Sequence, residues 1–334
     1  MSEFSIPSNV LRWVAPSALV VAALSGCGSS SQSAGVAQVP QVAFDSARKT
    51  SKPTPLLFAT DLDAAALYAY KLAGQNQSPL WTLSGSPLRY PAGLWVDGNL
   101  DLYVADESGY VYEYEAPTAS GPPSGPSFTY DDPGEYPIAV AACGNYVYAA
   151  NAIGESSAQS FTVWAKGTAQ PLRVAKAADY LDGVGQGITC DATGAGHVYF
   201  AFDYDDNGPG GVDLWAADGS GTPTSLPMLP DYLEGLARNK AGVFVIGDAY
   251  ASPSPAIQFF KATKTAPTHQ ITGSWVGRPV GFAYESSDQA LWVADSSYAT
   301  LTRIAPAKGA VLNTITKPGF SALEGVAVSP PDHP

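Results

Sequence analysis

Three residues with side-chain oxygens, Gln186, Glu234 and Glu324, each stand directly before a glycine that opens a short apolar run. At the three matching positions the chain has Ala92, Ile138 and Val280. A carboxylate held at such a place needs a cation, a hydrogen-bond donor or water, so these positions carry the first hint of a site. Six other residues, Asp61, Asp106, Asn151, Asp203, Asp248 and Asp295, end apolar runs such as Leu102-Tyr-Val-Ala-Asp106. They are candidates for a ligand-bearing face, against the simpler role of an Asx that accepts backbone N–H groups and starts a turn. The stretch Asp203-Tyr-Asp205-Asp-Asn207-Gly208 matches the first half of an oxygen-ligand calcium loop. In such loops acids or amides at alternate positions point to one centre while glycine permits the sharp turn. The closing acid belongs at position 214, which is leucine, and Asp213 stands beside it. Ca²⁺ is therefore the cofactor the chain invites, with Glu234, Glu324, Asp203, Asp205 and Asn207 as metal candidates, and a solvated acidic turn is the alternative.

The elements that position these residues repeat. Runs beginning Gly93-Leu-Trp-Val, Ala139-Val-Ala-Ala, Gly187-Ile-Thr-Cys, Gly235-Leu-Ala-Arg, Gly281-Phe-Ala-Tyr and Gly325-Val-Ala-Val recur at spacings of 46, 48, 48, 46 and 44 residues. A short turn such as Gly98-Asn99 follows, then the run ending in Asp or Asn, then an alternating run such as Tyr110-Val-Tyr-Glu-Tyr114, then a weaker fourth. Alternation broken by turn residues is the mark of antiparallel hairpins, and a β-rich period in the forties means a propeller. Each unit is a four-stranded blade whose first strand lines the channel.

The chain ends divide the last unit. Leu323-Glu-Gly325-Val-Ala-Val328 supplies a first strand, and the segments 56–61, 67–71 and 80–83 supply the other three. Joined, they complete a sixth blade and abolish the open edges of the ring. The fold expected is all-β, a six-bladed propeller of four-stranded blades closed by the C-terminal strand. Its first strands start, and its second strands end, on one rim. The Asx residues, Gln186, Glu234 and Glu324 therefore share a face with Tyr90, Tyr136, Tyr180 and Tyr232, which precede inner strands. Such tyrosines stack on a ligand or wedge between blades. His197 opens a second strand on the opposite rim, His269 is in an outer-strand region and His333 is in the tail, so none supports histidine chemistry at this face.

The segment Pro91-Ala-Gly93-Leu-Trp-Val-Asp97-Gly-Asn99 through Leu102-Tyr-Val-Ala-Asp106 resembles the NHL repeat, as does Arg278-Pro-Val-Gly281 through Leu291-Trp-Val-Ala-Asp295. NHL-type propellers include binding modules, sensors and enzymes, so the resemblance implies the fold and leaves activity open. Glu234-Gly235 and Glu324-Gly325 resemble the Glu-Gly that supplies a calcium ligand in gluconolactonase-type propellers, which implies a calcium-dependent lactonase or hydrolase as the rival function. The positions of the remaining ligands in that family are mostly apolar here.

The first residues form no part of this ring. An apolar run of twelve, Trp13 to Leu24, is followed by Leu24-Ser-Gly-Cys27. That length suits a signal peptide and is too short to span a bilayer. The tetrapeptide resembles a bacterial lipobox, which implies cleavage before Cys27 and lipidation of its thiol. Residues 1–26 are thus a lipoprotein signal, 27–54 a flexible Ser/Gln/Ala/Gly/Pro tether, 55–330 the propeller and 331–334 a tail. The net charge of −13 argues against nucleic acid as partner. Cys143 and Cys190 lie near the ends of neighbouring first strands, one position apart in the aligned repeats. A disulfide between blades and two buried free thiols are both open. The sequence points to an envelope protein facing outside the cytoplasm, bound to the membrane through lipid and acting as a binding module for a protein, peptide or small polar ligand. A purely structural envelope role is a third reading. Activity as an enzyme is undecided, with the balance toward none.

Overall fold

A computed structural model describes residues 54–72, 78–133, 135–152, 160–176, 185–191, 196–203, 210–228, 232–251, 253–316 and 319–331. The lipobox cysteine Cys27, the tether up to residue 53, and Asp205 and Asn207 of the acidic loop lie outside the described residues.

Strands β1 (Leu56–Asp61), β2 (Ala66–Lys71) and β3 (Trp81–Ser84) open the chain. The next blade is β4 (Pro91–Val96), β5 (Leu102–Asp106), β6 (Tyr110–Tyr114) and β7 (Phe128–Asp131). It is followed by β8 (Tyr136–Cys143), β9 (Tyr146–Ala152), β10 (Ser160–Ala165) and β11 (Arg173–Ala175). Then come β12 (Gly185–Cys190), β13 (His197–Asp203), β14 (Gly210–Ala216) and β15 (Thr224–Ser225). A fifth set is β16 (Glu234–Arg238), β17 (Val243–Asp248), β18 (Ala256–Lys261) and β19 (His269–Thr272). The last are β20 (Pro279–Tyr284), β21 (Leu291–Asp295), β22 (Thr300–Ala305), β23 (Ala310–Thr316) and β24 (Leu323–Ser329). They form six four-stranded antiparallel sheets, and the last strand joins the first three in the order β24-β1-β2-β3. The fold is an all-β, six-bladed propeller.

Burial explains why the second strands read as unbroken apolar runs. Both faces of a blade are covered by its neighbours, so β1 and β5 are buried at every residue. Outer strands lose that cover, and β15 and most of β23 are exposed. The core is therefore a series of layers between blades. Phe161 of one blade packs on Phe200 and Trp215 of the next, each at 5.3 Å between ring centroids.

Around the channel the inner strands approach so closely that a small residue is required. A Cβ on Gly325 would lie 2.3 Å from the carbonyl oxygen of Ala92 and 2.6 Å from Thr60 Oγ1. Each inner-strand pairing also shifts register just before or at this small residue, as between Pro137 and Ala139, Gly185 and Gly187, and Pro279 and Gly281. A β-bulge leaves one residue out of the ladder and re-aims its side chain. In these strands that residue is Ile138, Gln186 or Val280, and all three line the channel.

Cys143 and Cys190 form a disulfide across neighbouring inner strands, with Cα atoms 6.2 Å apart. These strands are not hydrogen-bonded to one another. No ladder ties their pleats together, so an offset of one position does not separate the sulfurs.

Two stability outcomes follow. Gly325→Ala should cost about 1–3 kcal/mol, as overpacking does, read as a lower urea midpoint. Gly121→Ala should change little, since a Cβ there meets nothing within 4 Å. The disulfide closes a separation of 47 residues, worth about 4 kcal/mol by chain entropy. Reductant should lower the midpoint of the native chain and leave that of a Cys143→Ser/Cys190→Ser double variant unmoved.

Candidate functional site

All six strand-end Asx residues are buried on one rim. Asp61 accepts the N–H groups of Ser321 (2.9 Å), Ala322 (3.2 Å) and Ala64 (3.1 Å). Asp106 accepts those of Arg89 (2.8 Å), Tyr90 (3.2 Å) and Ser108 (3.0 Å). Asp295 accepts those of Gly277 (2.6 Å), Arg278 (3.2 Å) and Tyr298 (3.0 Å). In these three blades the carboxylate holds the segment leading into its own inner strand. Asp203 instead takes the N–H of Leu233 (3.0 Å) and the amide of Gln186 (3.2 Å). Asp248 takes Tyr250 N–H (3.2 Å) and the amide of Gln258 (2.9 Å). Burial, followed by weaker influences, pushes the Asp203 carboxyl up to about 7.

Inside this ring lies the channel mouth, which opens onto a cavity of about 400 Å³. Its walls are apolar, with Leu94, Val140, Ile188 and Phe282 among them, and its polar rim is formed by Glu107, Gln186, Tyr232, Glu234, Arg278 and Glu324. Arg278 grips Glu234 with two bonds, Nε to Oε1 at 2.7 Å and Nη2 to Oε2 at 3.2 Å. Burial alone would lower the guanidinium's pKa, but the bonds and charge of Glu234 carry it above its usual value. Glu324 Oε1 accepts from Ser296 Oγ at 3.2 Å. Desolvation dominates at Glu324 and lifts its carboxyl to about 7 against the opposing pull of Arg278. Burial and then Asp106 also raise Glu107.

Gln186, Glu234 and Glu324 are thus brought together at one mouth. Arg278 and Glu107 were not singled out from sequence. A signal for Arg278 exists: three residues before the small residue the chain has Tyr90, Tyr136 and Tyr232, and one blade places arginine there instead. Tyr90 and Tyr136 are exposed, together with Tyr110, Tyr250 and Tyr298. By chain position all five flank the strand ends on this rim. His197 is on the other rim, 3.3 Å from Asp191, which also accepts from Tyr199 OH (3.0 Å) and pairs with Arg238.

The calcium set suggested by the gluconolactonase resemblance does not fit these residues. Both oxygens of Glu234 are held by a guanidinium, which puts a fixed positive charge beside the place where the ion would sit. Three of the other positions before the inner-strand small residues are Ala92, Ile138 and Val280, which offer no side-chain ligand. Among the described residues no group of three or more His, Cys, Asp or Glu side chains is arranged for a metal.

No family model matches the chain, and no curated protein matches it in sequence. Solved structures match in fold. A chain from a nidogen/laminin complex superposes with a TM-score of 0.64 at 12% identity, covering 84% of this chain and all of that one. The WD40 β-propeller domain of Doa1 superposes with a TM-score of 0.53 at 10% identity, covering 78% of this chain and 79% of its own. At such identities the likeness is one of fold.

Proposed function

We propose that the protein is a binding module, held at the cell envelope by lipid on Cys27, that captures a partner protein on the rim carrying the Asx ring. A cationic side chain of that partner is seated in the channel mouth. The observation that carries this reading is the charge of the mouth: Glu107, Glu234 and Glu324 outnumber Arg278 there, while the second arginine lining the cavity of about 400 Å³, Arg238, is paired with Asp191 toward the other rim. Low-dielectric walls make such a field stronger than the same charges in open water. Exposed tyrosines on that rim suit a cation as well, since an ammonium or guanidinium is attracted to an aromatic face. A chain of this fold occurs in a nidogen/laminin complex, which accords with capture of a protein. The disulfide supports export, because structural disulfides persist in oxidising compartments.

The pH dependence follows from Glu324. Its carboxyl is protonated well below about 7 and ionised well above, and a cation prefers the ionised form. Binding must therefore strengthen as pH rises through that value. A fluorescent tri-lysine peptide should bind about tenfold more tightly at pH 8 than at pH 6, following the ionised fraction. Glu324→Gln should weaken binding at pH 8 and flatten the profile. Affinity that ignores both pH and this substitution would remove the mouth from the reading.

The anchor is tested separately. Cys27→Ala should move the protein from the membrane pellet to the soluble fraction after cell lysis. Retention in the pellet would mean that something other than lipid on Cys27 holds it.

A further inference from the structure

The Asx ring has one member unlike the rest. In five blades a strand-end aspartate accepts N–H groups, but in the blade of β8 to β11 the residue is Asn151, and its side chain donates. Its Nδ2 gives hydrogen bonds to Ser160 Oγ (3.1 Å) and Thr162 Oγ1 (3.0 Å). Those hydroxyls spend their own protons on carboxylates. Ser160 Oγ donates to Glu135 Oε2 at 3.2 Å, and Thr162 Oγ1 donates to Asp132 Oδ1 at 2.8 Å. The direction is fixed by chemistry, because a carboxylate only accepts and a hydroxyl has one proton.

The amide and hydroxyl donors of the cluster are consumed, and acceptors are left over. Asp132 Oδ2 and Asn151 Oδ1 have no hydrogen-bond partner, and both residues are 0% exposed. Glu135 is buried as well, and Lys176 Nζ stands 3.8 Å from its Oε1. Two buried carboxylates and a bare amide oxygen are thus joined through the same pair of hydroxyls. Leaving Asp132 Oδ2 and Asn151 Oδ1 dry and unpaired is costly, and no hydroxyl or amide donor of the cluster remains to satisfy them. Hard oxygens of this kind, two carboxylates and an amide, are what a calcium ion takes, with water or backbone carbonyls completing the shell.

We propose that Asp132, Glu135 and Asn151 form a Ca²⁺ site at the corner where the chain enters this blade, distinct from the channel mouth and from the Asp203 loop. The ion supplies the positive charge that backbone N–H groups supply to Asp61, Asp106 and Asp295, and so fixes the lead-in segment of β8.

Terbium is a direct probe, since it takes calcium's ligands and emits when a nearby tryptophan is excited. Trp164 is well placed as the donor: it lies two residues beyond Thr162, and its Nε1 bonds the carbonyl of Asp131 at 3.1 Å. The purified full chain, stripped with chelator, should show saturable Tb³⁺ emission of one ion per chain, displaced by Ca²⁺. Calcium alone at a hundredfold excess over its Kd should raise Tm by about 5 °C. Asp132→Asn and Glu135→Gln, both isosteric, should each abolish the emission and the shift, while Glu324→Gln and Asp205→Asn keep them. Each variant's circular dichroism without metal shows whether it has folded, and either one suffices. Absence of emission and shift in the native chain would overturn the site. So would their survival in a folded Asp132→Asn or Glu135→Gln variant, or their loss in Glu324→Gln or Asp205→Asn.

Discussion

Closure of the ring rests on a pairing between segments about 270 residues apart. β24 runs antiparallel to β1, from Leu56 opposite Ser329 to Thr60 opposite Gly325. Asp61 then takes the N–H groups of Ser321 and Ala322 across the same junction. Nothing local favours this contact, and its loop-closure cost is met only by the ladder and by the burial it completes. Without it β1 and β24 would be open edges, and blades that bury both faces against neighbours would each lose one. A channel with a defined mouth exists only because the ring is closed.

Closeness at the channel then dictates how residues reach that mouth. Inner strands meet where a Cβ has no room, as at Gly325 against Ala92, so the small residue is forced by packing. The bulge beside it takes a side chain out of the ladder and turns it inward. The same backbone device therefore delivers Ile138 and Val280 in some blades and Gln186 in another. Chemistry at the mouth can vary without disturbing the frame, because the bulged residue carries no ladder bond. The opposite rim is held differently. There Asp97 pairs with Lys166 at 2.9 Å, and Glu285 with Arg303 at 2.6 Å. These ion pairs consume the charges they bring.

The frame was largely readable from the chain because repetition exposes it. Six copies of one pattern, with one copy split by the ends, admit few architectures, and the strand-end Asx showed which loops share a rim. Gln186, Glu234 and Glu324 stood out because they break the pattern. Partnership was less readable. Arg278 appeared only as part of a repeat motif, and nothing in sequence says that it spans to Glu234, 44 residues away. The cysteine pair illustrates a different limit. Alignment of repeats gives an offset along the strands, but the gap between unpaired inner strands is a property of the ring. Asp132 and Glu135 precede the inner strand in a segment without a repeat signature, so their burial has no sequence signal at all.

The contrast between the two carboxylate settings shows why position alone does not assign a role. Asp106 and Asp132 are both 0% exposed and both stand at a corner of a blade. Asp106 is met by three N–H groups at 2.8 to 3.2 Å. Asp132 receives one hydroxyl, and its second oxygen faces no donor. The difference lies with its partner across the corner, where Asn151 gives two N–H bonds to hydroxyls while its Oδ1 takes no lead-in N–H. A single amide in place of a carboxylate thus reverses the flow of donors through the corner and moves the surplus of acceptors onto Asp132. Among the six copies of this corner, that surplus is what separates a turn that satisfies itself from one that calls for a ligand.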